Sequence, residues 1–243
     1  MPHDASTVIL YEDSRAYLDE FDPEVLPIAL IDVSSEELRT TLFEGIDFTA
    51  AVAVSPDGSV LATSEFNGDI FLWDIETGEL LKTIDGLPSQ SQMVFIDDNL
   101  LVTASANGNI PVFVIWDVVS SVIIRILTPE IGTFHDFIDQ RPMQAQSDLT
   151  VALIATTDGK ELITSTGGDG IFKQDIDSGE RRQMRFSDSE YPRLSIRQLH
   201  LAPQSDQVFY MLQGEPAIYR LNLDTRVEFE VLSVAEGERL ITF

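Results

Sequence analysis

The sequence predicts an all-β chain made of about five copies of one four-stranded antiparallel sheet. Three observations predict it. The stretch Phe48 to Gly86 is cut by the turn signals Ser55-Pro56-Asp57-Gly58, Phe66-Asn67-Gly68-Asp69 and Glu76-Thr77-Gly78 into four short runs rich in Val, Leu, Ile, Phe and Thr. Runs too short for helices and separated by Asp-Gly or Asn-Gly turns form antiparallel hairpins, because glycine supplies the positive φ that tight turns need. The frame IFLWDIETG from Ile70 recurs as IALIDVSSE from Ile28, FVIWDVVSS from Phe113, IFKQDIDSG from Ile171 and IYRLNLDTR from Ile218. Its anchors Asp32, Asp74, Asp117, Asp175 and Asn222 step by 42, 43, 58 and 47 residues. A single small sheet cannot bury both faces, so repeats of this period stack sheet on sheet, as β-propeller blades of ~40–45 residues do.

With the strands of each repeat lettered a to d, the first unit (about residues 1–45) has b at Thr7 to Glu12, c at Leu26 to Val33 and d at Leu38 to Phe43, with no strand a before them. Between b and c stands an acidic insertion, Asp13 to Pro27, carrying Tyr17, Leu18 and Phe21. The second unit (about 46–88) has a at Phe48 to Val54, b at Ser59 to Glu65, c at Asp69 to Ile75 and d at Glu79 to Ile84. The third (about 89–128) runs Met93 to Ile96, Leu100 to Ser105, Ile110 to Val118 and Val122 to Leu127, with Pro111 marking an edge irregularity or bulge in c. A second insertion, Pro129 to Asp148, accounts for the long step and holds Phe134, His135, Phe137 and Met143. The fourth unit (about 149–188) runs Thr150 to Ala155, Glu161 to Ser165, Ile171 to Ile176 and Arg181 to Phe186. The fifth (about 189–234) runs Ser195 to Leu201, Gln207 to Leu212, Ala217 to Leu223 and Val227 to Leu232. The tail, Ala235 to Phe243, reads as one more strand. If it supplies the strand a that the first unit lacks, the ring closes on itself; otherwise the chain is an open arc, a piece of a larger ring, or is completed by another chain.

With Trp73-Asp74 and Trp116-Asp117 at the end of strand c, the chain resembles the WD40-repeat family of β-propellers over nearly its whole length. It departs from the family where Gln174 and Leu221 replace the Trp, and in lacking the Gly-His pair, since His3, His135 and His200 fall elsewhere in the repeats. Another propeller class with a similar Ser-Pro-Asp-Gly hairpin is the runner-up. The resemblance implies a noncatalytic scaffold that presents loops to protein partners, with Trp73, Asp74, Trp116, Asp117, Asp32 and Asp175 as structural repeat positions. It also implies that b-to-c turns and d-to-a connections share one face of the disc. Residues 13–27 and 129–148 then crown that face, with Tyr17, Phe21, Phe134, His135, Phe137 and Met143 as candidate partner-binding residues. Aromatic and Met side chains on long loops suit that role.

Composition narrows the partners. The chain has 41 Asp+Glu against 15 Lys+Arg, a net charge of −26 and a pI near 4.1. Such a surface repels nucleic acid and anionic membranes and favours solubility, a basic partner, cations or high salt. No Cys is present, which excludes disulfides, thiol catalysis and Cys-zinc sites. No run approaches the ~18 apolar residues of a membrane span, and Met1 to Asp13 lacks a basic start before an apolar core. The default compartment is therefore cytoplasmic, with export from a processed precursor left open.

The candidate chemistry is sparse, and neither cofactor nor metal is expected. Asp175, Asp177 and Glu180 have a calcium-loop look, but the same spacing in Asp74 to Glu79 makes it a c-to-d hairpin. Gly167 to Gly170 precedes a strand, so it lacks the helix N-terminus of a phosphate site. His135-Asp136 is a close His-carboxylate pair, and no serine lies in a nucleophile elbow. The competing function is a metal-dependent, lactonase-like hydrolase with an acidic site on the propeller axis. One basic cluster, Arg181, Arg182, Arg185, Arg193 and Arg197, is expected to pair with surrounding acids on an outer strand or to dock an acidic partner.

Overall fold

The computed structural model describes residues 7–10, 28–32, 38–42, 49–65, 68–87, 90–107, 110–127, 152–166, 170–185, 196–202, 205–212 and 217–233. Among them every regular element is a strand. β1 (Thr7–Leu10), β2 (Ile28–Asp32) and β3 (Leu38–Leu42) form a three-stranded sheet. Four four-stranded meanders follow. The second sheet is β4 (Thr49–Val54), β5 (Val60–Glu65), β6 (Ile70–Asp74) and β7 (Leu80–Ile84). The third is β8 (Gln90–Phe95), β9 (Leu100–Asn107), β10 (Ile110–Asp117) and β11 (Val122–Leu127). The fourth is β12 (Ala152–Ala155), β13 (Glu161–Thr166), β14 (Gly170–Asp175) and β15 (Arg181–Arg185). The fifth is β16 (Ile196–Leu201), β17 (Gln207–Leu212), β18 (Ala217–Asn222) and β19 (Glu228–Ser233). In each, strands pair in chain order, as short hairpins require.

The frame read from sequence is the frame of the sheets. Asp32, Asp74, Asp175 and Asn222 close strand c opposite the first residue of strand b, namely Thr7, Val60, Glu161 and Gln207. Several strand ends differ from expectation by a few residues. The last strand starts at Glu228 because Val227 is held in the preceding turn, its carbonyl accepting from the Asn222 N–H. Pro111 lies second from the start of an inner strand, and so not on a sheet edge. Bulges occur on the edge strands, where Arg39, Leu81, Met184 and Val231 are each one residue extra against strand c, and Ala50, Ser91 and Arg197 are each one extra against strand b.

The chain resolves into two compact units, residues 1–105 with 113–126, and residues 106–112 with 127–243. In the first, β4 runs beside β8. The Asp57 N–H donates to Asp98 Oδ1 at 2.9 Å, and Lys82 Nζ donates to the carbonyls of Val118 and Val119. In the second, β12 runs beside β16. Ala152, Ile163, Ile171 and Met184 of the fourth sheet there form one core with Leu199, Val208, Tyr210, Leu212 and Leu221 of the fifth.

Burial along strand b records how each sheet is covered. Leu61 to Glu65, Leu101 to Ser105 and Leu162 to Ser165 are buried without a break, so those sheets are covered on both faces. β17 alternates instead: Val208, Tyr210 and Leu212 are buried, whereas Gln207, Phe209 and Met211 are half-buried. The fifth sheet is fully covered on one face only.

Candidate functional site

The two repeated Trp residues are buried, and each is tied to the neighbouring strand. Trp73 Nε1 donates to Thr63 Oγ1 at 3.0 Å, and Trp116 Nε1 donates to Thr103 Oγ1 at 3.0 Å. Trp73 packs on Leu61, Ile75, Val52 and Phe71 of its own sheet. The equivalent pair in the fourth sheet is Gln174 and Thr164, because Leu162 faces Gln174 as Leu61 faces Trp73. An amide is shorter than an indole, and Gln174 Nε2 turns to the Gly179 carbonyl at 3.4 Å. Thr164 Oγ1 and Gln174 Oε1 remain buried without a hydrogen-bond partner among the described residues.

The repeated carboxylates are spent on turns. Asp74 Oδ1 accepts from the N–H and hydroxyl of Thr77 at 2.7 and 3.0 Å. Asp117 Oδ1 accepts from the Val119 and Ser120 N–H groups at 2.9 and 3.0 Å. Asp175 Oδ1 accepts from the N–H and hydroxyl of Ser178 at 2.6 and 2.7 Å. Asn222 Oδ1 does the same for Thr225, at 2.7 and 2.9 Å. The Thr77 and Ser120 N–H groups, assisted by the hydroxyls of the same residues, hold Asp74 and Asp117 below the usual carboxylate range. A carboxylate occupied in this way is an anchor and not a free base. The calcium-like trio around Asp175 is accordingly a hairpin. The a-to-b hairpins repeat the device: Asp57 accepts from Ser55 Oγ at 2.6 Å and Asp158 from Thr156 Oγ1 at 2.7 Å. These hydroxyls lower the pKa of Asp57 and Asp158.

One groove in the second unit collects charge. It has a volume of about 250 Å³ and lies between β13–β15 and the turn after β18. Lys173 meets Glu161 at 2.7 Å on its wall, Arg182 meets Glu180 at 2.9 Å, and Asp224 and Arg226 face them from the fifth sheet. Each of these two ion pairs neutralises its own charges. Arg182 thus answers the expectation that the arginine cluster pairs with nearby acid, whereas Arg181 lies over the Phe172 ring at 3.5 Å. The Arg193 residue and the side chains of Arg185 and Arg197 lie outside the described residues, as does the side chain of Asp32. His200 is exposed on β16. Tyr17, Phe21, Phe134, His135, Phe137 and Met143 also lie outside the described residues, so the structure does not place the two insertions.

No family model matches the chain. It is 32% identical over 98 residues to the small ribosomal subunit protein RACK1y of Oryza sativa subsp. japonica, covering 40% of this chain and 28% of that protein. It is 32% identical over 100 residues to small ribosomal subunit protein RACK1 of Medicago sativa, covering 41% and 30%. The RACK1 of Schizosaccharomyces pombe is 27% identical over 82 residues, covering 34% and 26%. The matches thus span less than a third of these relatives' own length. Among solved structures, the β-propeller domain of Myceliophteria thermophila Cps50 (Swd1) superposes with a TM-score of 0.61 at 12% identity, over 89% of this chain and 62% of that one. The fold is a β-propeller, and its repeats are WD40-like.

Proposed function

We propose, with a WD40-like β-propeller as the premise, that this chain is a noncatalytic scaffold that binds protein partners. One observation carries the reading: the repeated polar residues are consumed by the framework. Trp73 and Trp116 bond to threonines, and Asp74, Asp117 and Asp175 hold turns. Recognition is then left to connections and outer surfaces, the usual place for it on a rigid scaffold. Relatives named as proteins of the small ribosomal subunit support a role inside an assembly. A net charge of −26 favours a basic protein partner over nucleic acid. The binding face carries residues 13–27 and 129–148, with Tyr17, Phe21, Phe134, His135, Phe137 and Met143 as contact residues.

A metal-dependent hydrolase of the same fold is the class to be separated from this one. Elemental analysis of the purified protein and melts with and without EDTA separate them. The scaffold requires no stoichiometric divalent ion and the same melting temperature in both buffers. A tightly held ion with a large loss of melting temperature on chelation overturns it.

A further inference from the structure

One position of the outer strand is used differently in the second and fourth sheets, and the difference leaves the groove of the second unit open. Opposite Leu72 of strand c stands Lys82; opposite Lys173, the same place in the repeat frame, stands Arg182. Lys82 crosses to the third sheet, where its Nζ donates to the carbonyls of Val118 and Val119, the two residues after Asp117. Their counterparts in the fifth sheet are Leu223 and Asp224, which follow Asn222 and bond alike. The N–H groups of Val118 and Leu223 donate to the Asn99 and Asp206 carbonyls, and those of Val119 and Asp224 to the Asp117 and Asn222 side chains. Arg182 turns back instead and pairs with Glu180 at 2.9 Å. The cause is the place of the bulge. In the second sheet the extra residue is Leu81, so Lys82 stands three residues from Glu79. In the fourth it is Met184, beyond Arg182, so Arg182 stands two residues from Glu180 and on its side of the strand. Where the lysine bridges two sheets in the first unit, the second has the groove of about 250 Å³, lined by Arg182, Leu223 and Asp224.

We propose that this groove seats a lysine side chain of a basic protein partner, which makes there the bonds that Lys82 makes within the chain. Its ammonium donates to the carbonyls of Leu223 and Asp224 and meets the Asp224 carboxylate. A compact ammonium with three donors suits that set better than a planar guanidinium. Its methylenes lie on Met184 and Leu223, the buried apolar residues of the lining. Charge favours a cation. Lys173 and Arg182, two of the three bases in the groove, are committed to Glu161 and Glu180, and Asp175 is held by Ser178. Asp224 and Arg226, both exposed, remain, and the net charge of −26 tips the balance towards a positive ligand. The inference rests on the scaffold reading and adds the chemistry of one contact, made by residues other than 13–27 and 129–148.

Fluorescence anisotropy tests it on the full chain in about 150 mM NaCl, which screens the general attraction of an acidic chain for any cation. The probes are a short fluorescein-labelled peptide of Gly, Ala and Lys, its twin acetylated at every Lys, and its twin with Glu at every Lys. Saturable binding of the Lys peptide only is expected, because acetylation removes the charge. Asp224→Lys should weaken it about tenfold or more with an unchanged thermal melt, and Arg226→Ala should tighten it. Asp85→Lys makes the same change of net charge at an exposed acid outside the groove and should leave most of the affinity. Equal binding of the Lys and acetylated peptides, binding of none, or preference for the Glu twin overturns the proposal. So does an equal loss in Asp224→Lys and Asp85→Lys, which reduces the binding to overall charge. A chain with both insertions shortened should still bind the Lys peptide, so failure of the loops and failure of this groove are told apart.

Discussion

At the level of single side chains, what distinguishes the sheets is whether a buried threonine has its donor. Trp73 is 3% exposed, and truncating a buried aromatic of that size costs about 3–5 kcal/mol, so Trp73→Ala should lower urea stability by that amount. Threonine to valine should act with opposite sign in two sheets. Thr63→Val leaves the Trp73 indole N–H without its acceptor and should cost about 1–3 kcal/mol. Thr164→Val removes a buried hydroxyl that has no partner among the described residues and should be neutral or stabilise by about 1 kcal/mol. Equal losses at both positions would mean that Thr164 is satisfied. The tryptophans and their replacement by Gln174 and Leu221 were legible in the repeat frame. Their threonine partners were not, because they sit 10 and 13 residues upstream, a separation that varies with the intervening turn and leaves no fixed spacing to read.

Hairpins repeat a backbone problem and solve it unequally. The c-to-d turns place Gly78, Ser121, Gly179 and Arg226 at φ values of 74°, 59°, 75° and 57°. A side chain at positive φ is strained, so Ser121→Gly and Arg226→Gly should each raise stability by up to about 1 kcal/mol, read from denaturant midpoints. The turn carboxylates also set an acid limit. Because hydrogen bonds hold the folded-state pKa of Asp74 and Asp117 below the unfolded value, their stabilisation is complete above about pH 4 and is lost as pH falls through the folded values. Asn222 holds its turn without titrating. The Asp74→Asn, Asp117→Asn double variant should therefore match the parent at pH 7 and lose less melting temperature between about pH 4 and pH 2.5. Glycine-bearing turns were legible because Asp-Gly and Thr-Gly pairs announce them. The left-handed Ser121 and Arg226 were not, since neither residue type signals that conformation, and the outer-strand bulges leave no mark in the alternation of Leu80 to Ile84.

For the chain as a whole, charge and stacking set behaviour. A net charge of −26 opposes the folded state by self-repulsion, which salt screens. Melting temperature should rise by a few degrees between about 20 mM and 500 mM NaCl, where a chain held by surface ion pairs would fall. The stacked-sheet architecture was legible because five apolar frames recur at nearly blade spacing, each with its own turn signals. The partial burial of one face of the fifth sheet was not: Phe209, Met211 and Ile218 look in sequence like core residues of any sheet, and only the folded chain shows them half-buried. Binding through the insertions is tested most directly by capture of partner proteins with the purified chain, compared with variants in which residues 13–27 or 129–148 are replaced by a short glycine-containing turn. An unchanged cooperative melt and loss of the captured partners are expected in either variant. An unchanged partner set in both variants, with folding intact, would contradict it.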